Sequence, residues 1–162
     1  MMRTADLSDP TSWRAWGGAA YDVPFVSPYT MEPGTEAAHI CTVTNLPSCP
    51  IGGFAWSTFL GTFVATMDCS LQGGEQFYLA TSDDLITWTT PQPLYSAKDL
   101  PANVSKNVTA MTYPTWLDPA APASGDPNFM TISATPYLFW VSIGHSPYTD
   151  GRALWATPML FS

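Results

Sequence analysis

Apolar positions in this chain come in short runs cut by Gly, Pro and small polar residues, a rhythm that predicts strands and not helices. The densest signal begins at residue 54. Residues 54–59 predict a strand, Leu60-Gly61 a turn, 62–68 a second strand, Gly73-Gly74 a hairpin turn and 76–81 a third strand. A short outer strand is expected at 91–95. Further strands are expected at 21–25, 39–43, 111–117, 129–132, 136–143 and 152–160. Phe63-Val64-Ala65 and Phe77-Tyr78-Leu79-Ala80 have no polar face, as in strands covered on both sides. No longer segment keeps an i, i+3, i+4 apolar pattern free of Pro and Gly, so helix is nearly excluded. Two long loops, the polar 96–109 and the Pro-, Ala- and Gly-rich 118–128, separate the later runs.

One stretch organises this pattern: Ala80-Thr81-Ser82-Asp83-Asp84-Leu85-Ile86-Thr87-Trp88. It reads as a strand end running into a polar turn that a tryptophan closes. Ser82, Asp83 and Asp84 are short side chains able to bond backbone N–H groups just ahead of them, which favours a turn. A looser copy, Leu7-Ser8-Asp9-Pro10-Thr11-Ser12-Trp13, lies near the start. A strand-turn-tryptophan unit recurring at long spacing in an all-β chain points to propeller blades.

The 162 residues suffice for one ordinary domain, and 46% hydrophobic content suffices for a core. Only 11% of residues are charged, so Ser, Thr, Pro, Gly and Asn must cover the surface, as is common outside the cell. Net charge is −8, and Arg3, Arg14, Lys98, Lys106 and Arg152 are scattered. That distribution argues against binding nucleic acid or an anionic membrane surface. No apolar run reaches the roughly 20 residues of a membrane helix, and no signal peptide is read at Met1-Met2-Arg3. Asn103-Val104-Ser105 and Asn107-Val108-Thr109 are nevertheless two glycosylation sequons in one loop, which points to secretion. Cys41 and Cys49 flank Asn45-Leu46-Pro47-Ser48, a span a disulfide can close, leaving Cys69 over. Three buried thiols are the other reading.

Hydrolysis of a glycosidic bond needs two carboxyl groups about 5–9.5 Å apart. The candidate acids and bases are Glu32, Glu36 and Asp68; Glu75 and Asp118 are weaker, and each of the five also has a plain reading as a solvated residue or loop anchor. Asp83 and Asp84 read as turn-formers. His39 opens a strand beside Glu36 and, on an inner strand, would bind sugar or water; an ordinary half-buried histidine is the alternative. Trp56 and Trp116 each lie in the first strand of an expected blade, where an indole can stack on a sugar face. Trp13, Trp88 and Trp140 read as structural. No Cys or His cluster has zinc spacing, no glycine loop cradles phosphate, and no serine elbow is present, so neither metal nor cofactor is expected.

The order of elements over residues 54–162 resembles the C-terminal blades of five-bladed β-propellers of the arabinanase, β-xylosidase and invertase type. Phe54-Ala55-Trp56-Ser57, Leu60-Gly61-Thr62-Phe63-Val64 and the 80–88 turn carry the resemblance, with Tyr113-Pro114-Thr115-Trp116-Leu117-Asp118, Tyr137-Leu138-Phe139-Trp140 and Arg152-Ala153-Leu154. It implies an all-β, partial five-bladed propeller of two to three blades: 1–50 as an incomplete blade with loops, 51–109 as a blade, 110–162 as the last blade. It also implies a secreted glycoside hydrolase-like protein acting on or binding oligosaccharide or polysaccharide. Such enzymes place an Asp base in the first blade, which has no counterpart here, so the main catalytic Asp residues and the N-terminal blades would be supplied from outside this chain. A non-catalytic carbohydrate-binding or scaffold propeller is the alternative, and a small β-sandwich a third. A partial propeller would leave a sheet face and strand edges open to association.

Overall fold

The computed structural model describes residues 2–24, 49–69, 76–105, 108–144 and 151–162. Two compact units divide the chain, Met1–Thr44 and Asn45–Ser162. Each unit is described by itself.

In the first unit β1 (Met2–Arg3), β2 (Arg14–Trp16) and β3 (Tyr21–Pro24) form an antiparallel sheet in chain order. The first serine-aspartate-tryptophan copy is the turn between β1 and β2. The Asp9 carboxylate accepts the Thr11 N–H at 2.8 Å and the Thr11 hydroxyl at 2.7 Å. Asp6 does the same for Ser8, at 2.9 and 2.7 Å. Trp16 packs edge-on against Tyr21, ring centroids 5.2 Å apart, and the Arg3 guanidinium lies 4.1 Å above the same Tyr21 ring.

The second unit holds β4 (Ile51–Ser57), β5 (Thr62–Asp68), β6 (Gln76–Ser82), β7 (Gln92–Ser96), β8 (Val108–Leu117), β9 (Thr131–Ile132), β10 (Tyr137–Gly144) and β11 (Arg152–Pro158). Strands β4 to β7 make an antiparallel meander, and β9 adds to the free edge of β4 in parallel, giving the order β7-β6-β5-β4-β9. Strands β8, β10 and β11 make a second meander in the order β11-β10-β8. The longest described helical segment is the single turn α1 (Ala102–Ser105). The protein is all-β, and among the described residues no sheet closes into a barrel.

Sheet packs on sheet where β4 meets β8. A Cβ on Gly52 would lie 2.2 Å from the Pro114 carbonyl oxygen, and one on Gly53 would lie 2.8 Å from the Thr115 hydroxyl. Only glycine allows this approach. Strand β8 bulges there: Tyr113 has φ of 57°, and the β10 register shifts between Phe139 and Val141. The bulge turns the Pro114 carbonyl to accept the buried Thr66 hydroxyl at 3.2 Å. Ala55, Val64, Phe77, Met111, Trp116, Ile132, Leu138 and Trp140 fill the space between the sheets. Trp140, fully buried, meets Phe77 edge-on at 5.9 Å and stacks on Trp155 at 5.5 Å. Strand β5 is covered on both faces, with Val64 and Thr66 on one and Ala65 and Met67 on the other, as its unbroken apolar run predicts.

The disulfide corrects the sequence reading. Cys49 bonds to Cys69, with Cα atoms 4.9 Å apart, and not to Cys41. Ile51 and Met67 face each other across β4 and β5, so the residues just outside them, Cys49 and Cys69, fall opposite one another. Hairpin register, rather than closeness along the chain, sets the pair. Cys41 lies outside the described residues.

Candidate functional site

The 80–88 stretch folds as the connection between the third and fourth strands of the first meander. The Ser82 hydroxyl accepts the Leu85 N–H at 2.8 Å, and Asp84 accepts those of Ile86 and Thr87 at 2.8 and 2.7 Å. Leu85 takes φ of 63°, and the Trp88 indole, buried, donates to the Leu85 carbonyl at 3.2 Å. Thr62 reaches across from β5, donating to the Ser82 carbonyl and the Asp83 carboxylate, each at 2.8 Å. The Thr87 and Ile86 N–H groups hold the Asp84 carboxyl below its ordinary value. Asp83 and Asp84 are therefore turn-formers. An open cleft of about 290 Å³ lies at this turn, lined by Thr62, Thr81, Ser82, Asp83, Asp84, Thr87, Trp88 and Thr89.

Register places a row of side chains beside it. Thr131 pairs with Trp56, Trp56 with Phe63, and Phe63 with Ser82. Paired residues share a face, so hydroxyl, indole, phenyl and hydroxyl run in line across β9, β4, β5 and β6. Three strand spacings make the row about 14 Å long. Trp56 is half-buried and braced edge-on by Phe63 at 4.9 Å. Phe54, two residues back on the same face, is 52% exposed. Polar groups flank both ends. Beyond Ser82 stand the exposed Asp83, Asp84 and Thr87. Beside Thr131 stands Asp126, which accepts the Thr131 N–H at 2.6 Å and its hydroxyl at 2.9 Å. Burial pushes the Asp126 carboxyl up, but bonds from Thr131, Asn128 and Met130 outweigh it and hold it below its ordinary value. Aromatic faces flanked by hydroxyl and carboxyl groups suit a ligand with alternating apolar and hydroxyl surfaces.

The other sequence candidates divide. Trp56 stands at the centre of the row. Trp116 does not join it: it is 6% exposed, packs on Phe161 at 5.6 Å, and sits in the core between the sheets. Its indole N–H is buried with no hydrogen-bond partner among the described residues. Asp68, 6% exposed, accepts the Thr112 hydroxyl and lies between β5 and β8, away from the exposed row. Asp118 anchors a loop, accepting the Ala120 N–H at 2.9 Å and the Ser133 N–H at 2.6 Å. Glu32, Glu36, His39, Glu75 and Asn107 lie outside the described residues, and Asn103 falls within α1. Phe54, Phe63, Thr131 and Asp126 belong to the site without having been singled out in the sequence. The first two sit at alternating or opposed positions to Trp56 and were legible as strand neighbours. The parallel contact of β9 with β4 joins distant stretches and leaves no local signal.

Among the described residues no three of His, Cys, Asp and Glu gather to hold a metal ion, and no described helix is long and apolar enough to cross a membrane. Fold and site together define an all-β, disulfide-bonded protein with a half-buried aromatic row on one face of its larger sheet. No protein-family model, curated protein or solved structure matches the chain.

Proposed function

We propose that this chain binds oligosaccharide along the Thr131–Trp56–Phe63–Ser82 row, as part of a propeller-type carbohydrate-active protein of the extracellular space. The observation that carries the reading is the half-exposed Trp56, braced by Phe63 and beside the half-buried Thr131, while Ser82 at the other end is buried in its turn. A sugar chain laid across the strands would stack pyranose or furanose faces on Trp56 and Phe63. Its hydroxyls would reach Asp126 at one end and Asp83, Asp84 and Thr87 at the other. The blade reading is supported by a four-stranded meander whose third-to-fourth connection is the serine-aspartate-tryptophan turn. An oxidising, extracellular location accords with the Cys49–Cys69 disulfide.

Binding is favoured over hydrolysis because both described members of the candidate carboxylates are buried and already bonded, Asp68 to Thr112 and Asp118 to the Ala120 and Ser133 N–H groups. The test is calorimetric titration with arabino-, xylo- and fructo-oligosaccharides, following Trp fluorescence in parallel. Wild-type protein is expected to bind one of these series. Trp56→Ala is expected to lose at least about tenfold in affinity, the weight of a central aromatic contact, while unfolding near the wild-type temperature. Affinity untouched by Trp56→Ala, or no binding across all three series, would remove the proposal.

A further inference from the structure

We infer that β11 is a homodimer edge, pairing antiparallel with β11 of a second copy about a two-fold axis through Trp155. Strand β11 stands at the end of its sheet, and no described strand pairs with its outer side. It lacks the usual guards of an edge. Its seven residues, Arg152–Pro158, pair with β10 without a register shift and contain no lysine, and the sole proline is the last residue. Its outward side chains are exposed, Leu154 by 72%.

Parity of the ladder limits the registers open to two such edges. The Gly151 carbonyl and the Met159 and Phe161 N–H groups bond toward β10, so odd-numbered residues of β11 are spent inside the sheet. Arg152, Leu154, Ala156 and Pro158 therefore direct their main-chain groups outward. Antiparallel pairing of two such edges must match even residues to even residues. A two-fold axis at Trp155 does so over the whole strand. Leu154 then faces Ala156 of the second copy, large against small, in a hydrogen-bonded pair. Arg152 faces Pro158, which lacks an N–H, so that end pair makes only the bond from the Arg152 N–H to the proline carbonyl. About six main-chain hydrogen bonds result.

The same register sets Trp155 opposite Trp155 of the second copy as a non-hydrogen-bonded pair, Cα atoms about 4.5 Å apart, where side chains approach most closely. Trp155 already stacks on Trp140 with planes 11° apart, so the pairing extends an existing aromatic stack across the joint. Charge agrees with a self-complementary edge. Arg152 is the only charged residue of the strand, and the two copies of it would sit about 20 Å apart, beyond the screening length at physiological salt. Moving the axis toward Pro158 would set Leu154 opposite a residue without an N–H.

The experiment is light scattering of the purified chain over a dilution series, with hydrogen exchange of the β11 amides on the same samples. The expected result is a two-chain mass at high concentration, with slow exchange at Arg152, Leu154 and Ala156 that becomes fast on dilution. Ala156→Pro removes an outward N–H without touching the bonds to β10, and Leu154→Lys puts a charge on the edge. Both are expected to give a one-chain mass with unchanged circular dichroism. A one-chain wild type at every concentration with fast exchange at those amides overturns the inference. A dimer that survives both substitutions does so too, because it would use another surface. Should either variant misfold, the exchange of the wild-type amides decides alone.

Discussion

At the scale of single residues, the structure separates side chains that build turns from those left at the surface beside them. Trp88 is a builder, sealed by its own turn with the indole donating to Leu85. Trp88→Ala should cost about 3–5 kcal/mol in urea unfolding, the loss typical of a buried aromatic. Asp118 is another builder. Burial pushes its carboxyl up, yet the Ser133 and Ala120 bonds outweigh that and hold it below its ordinary value of 3.8. A carboxyl depressed in the folded state adds stability above its unfolded value, and that contribution drains away as pH falls through the folded one. Unfolding free energy followed by urea titration should therefore drop as pH is taken through and below about 4. Asp118→Asn keeps one acceptor oxygen and sets an amide N–H₂ against the other of the two backbone donors, Ser133 and Ala120. It should lower stability by about 1–3 kcal/mol at neutral pH and flatten the acid limb.

At the scale of elements, the β4–β8 contact decides how the two sheets lie together. Two successive glycines in β4 face a proline-bearing bulge in β8, and neither feature has value without the other. Gly52→Ala drives a Cβ into the Pro114 carbonyl at 2.2 Å, where the obstacle is backbone and does not swing aside. The variant should lose at least about 1–3 kcal/mol by calorimetry, while Gly61→Ala in the open β4–β5 turn should be penalised only for its positive φ. The strands themselves were largely legible. Residues 62–68 coincide with β5, because an apolar run between Gly61 and the segment after Asp68 has little alternative to an extended strand. The turn at 80–88 was legible for the same reason, since Asp84 bonds donors two and three residues away. The place of Trp116 was not legible, because both faces of a strand look alike until the neighbouring sheet is known. Register put it opposite Leu138 in the core.

At the scale of the whole molecule, a single covalent link ties the open end of the β4–β5 hairpin. Cys49 and Cys69 are 20 residues apart, and in the chain-entropy view closing such a loop is worth about 3 kcal/mol. Reduction, or the pair Cys49→Ser and Cys69→Ser, should lower the melting temperature accordingly. Peptide mapping under non-reducing conditions should find Cys49 joined to Cys69, and a Cys41–Cys49 peptide would contradict the structure. The second meander has one face in the core and the other exposed through Tyr137, Leu154 and Ala156, an arrangement that the unbroken apolar run at 137–141 does not announce.

The sequence alone determined what is local: an all-β chain, the places though not all the bounds of β3 to β11, the aspartate turns, and the tryptophan that seals the second of them. Each depends on residues within one strand or turn, where short-range sterics and side-chain-to-backbone bonds decide. Only the tertiary structure decided which cysteine meets Cys49, which of Trp56 and Trp116 stays at the surface, and that Thr131 joins Trp56 in one row. Those outcomes depend on register and on the stacking of sheets. A shift of one residue exchanges the two faces of a strand, and a parallel contact between distant segments leaves no trace in either of them.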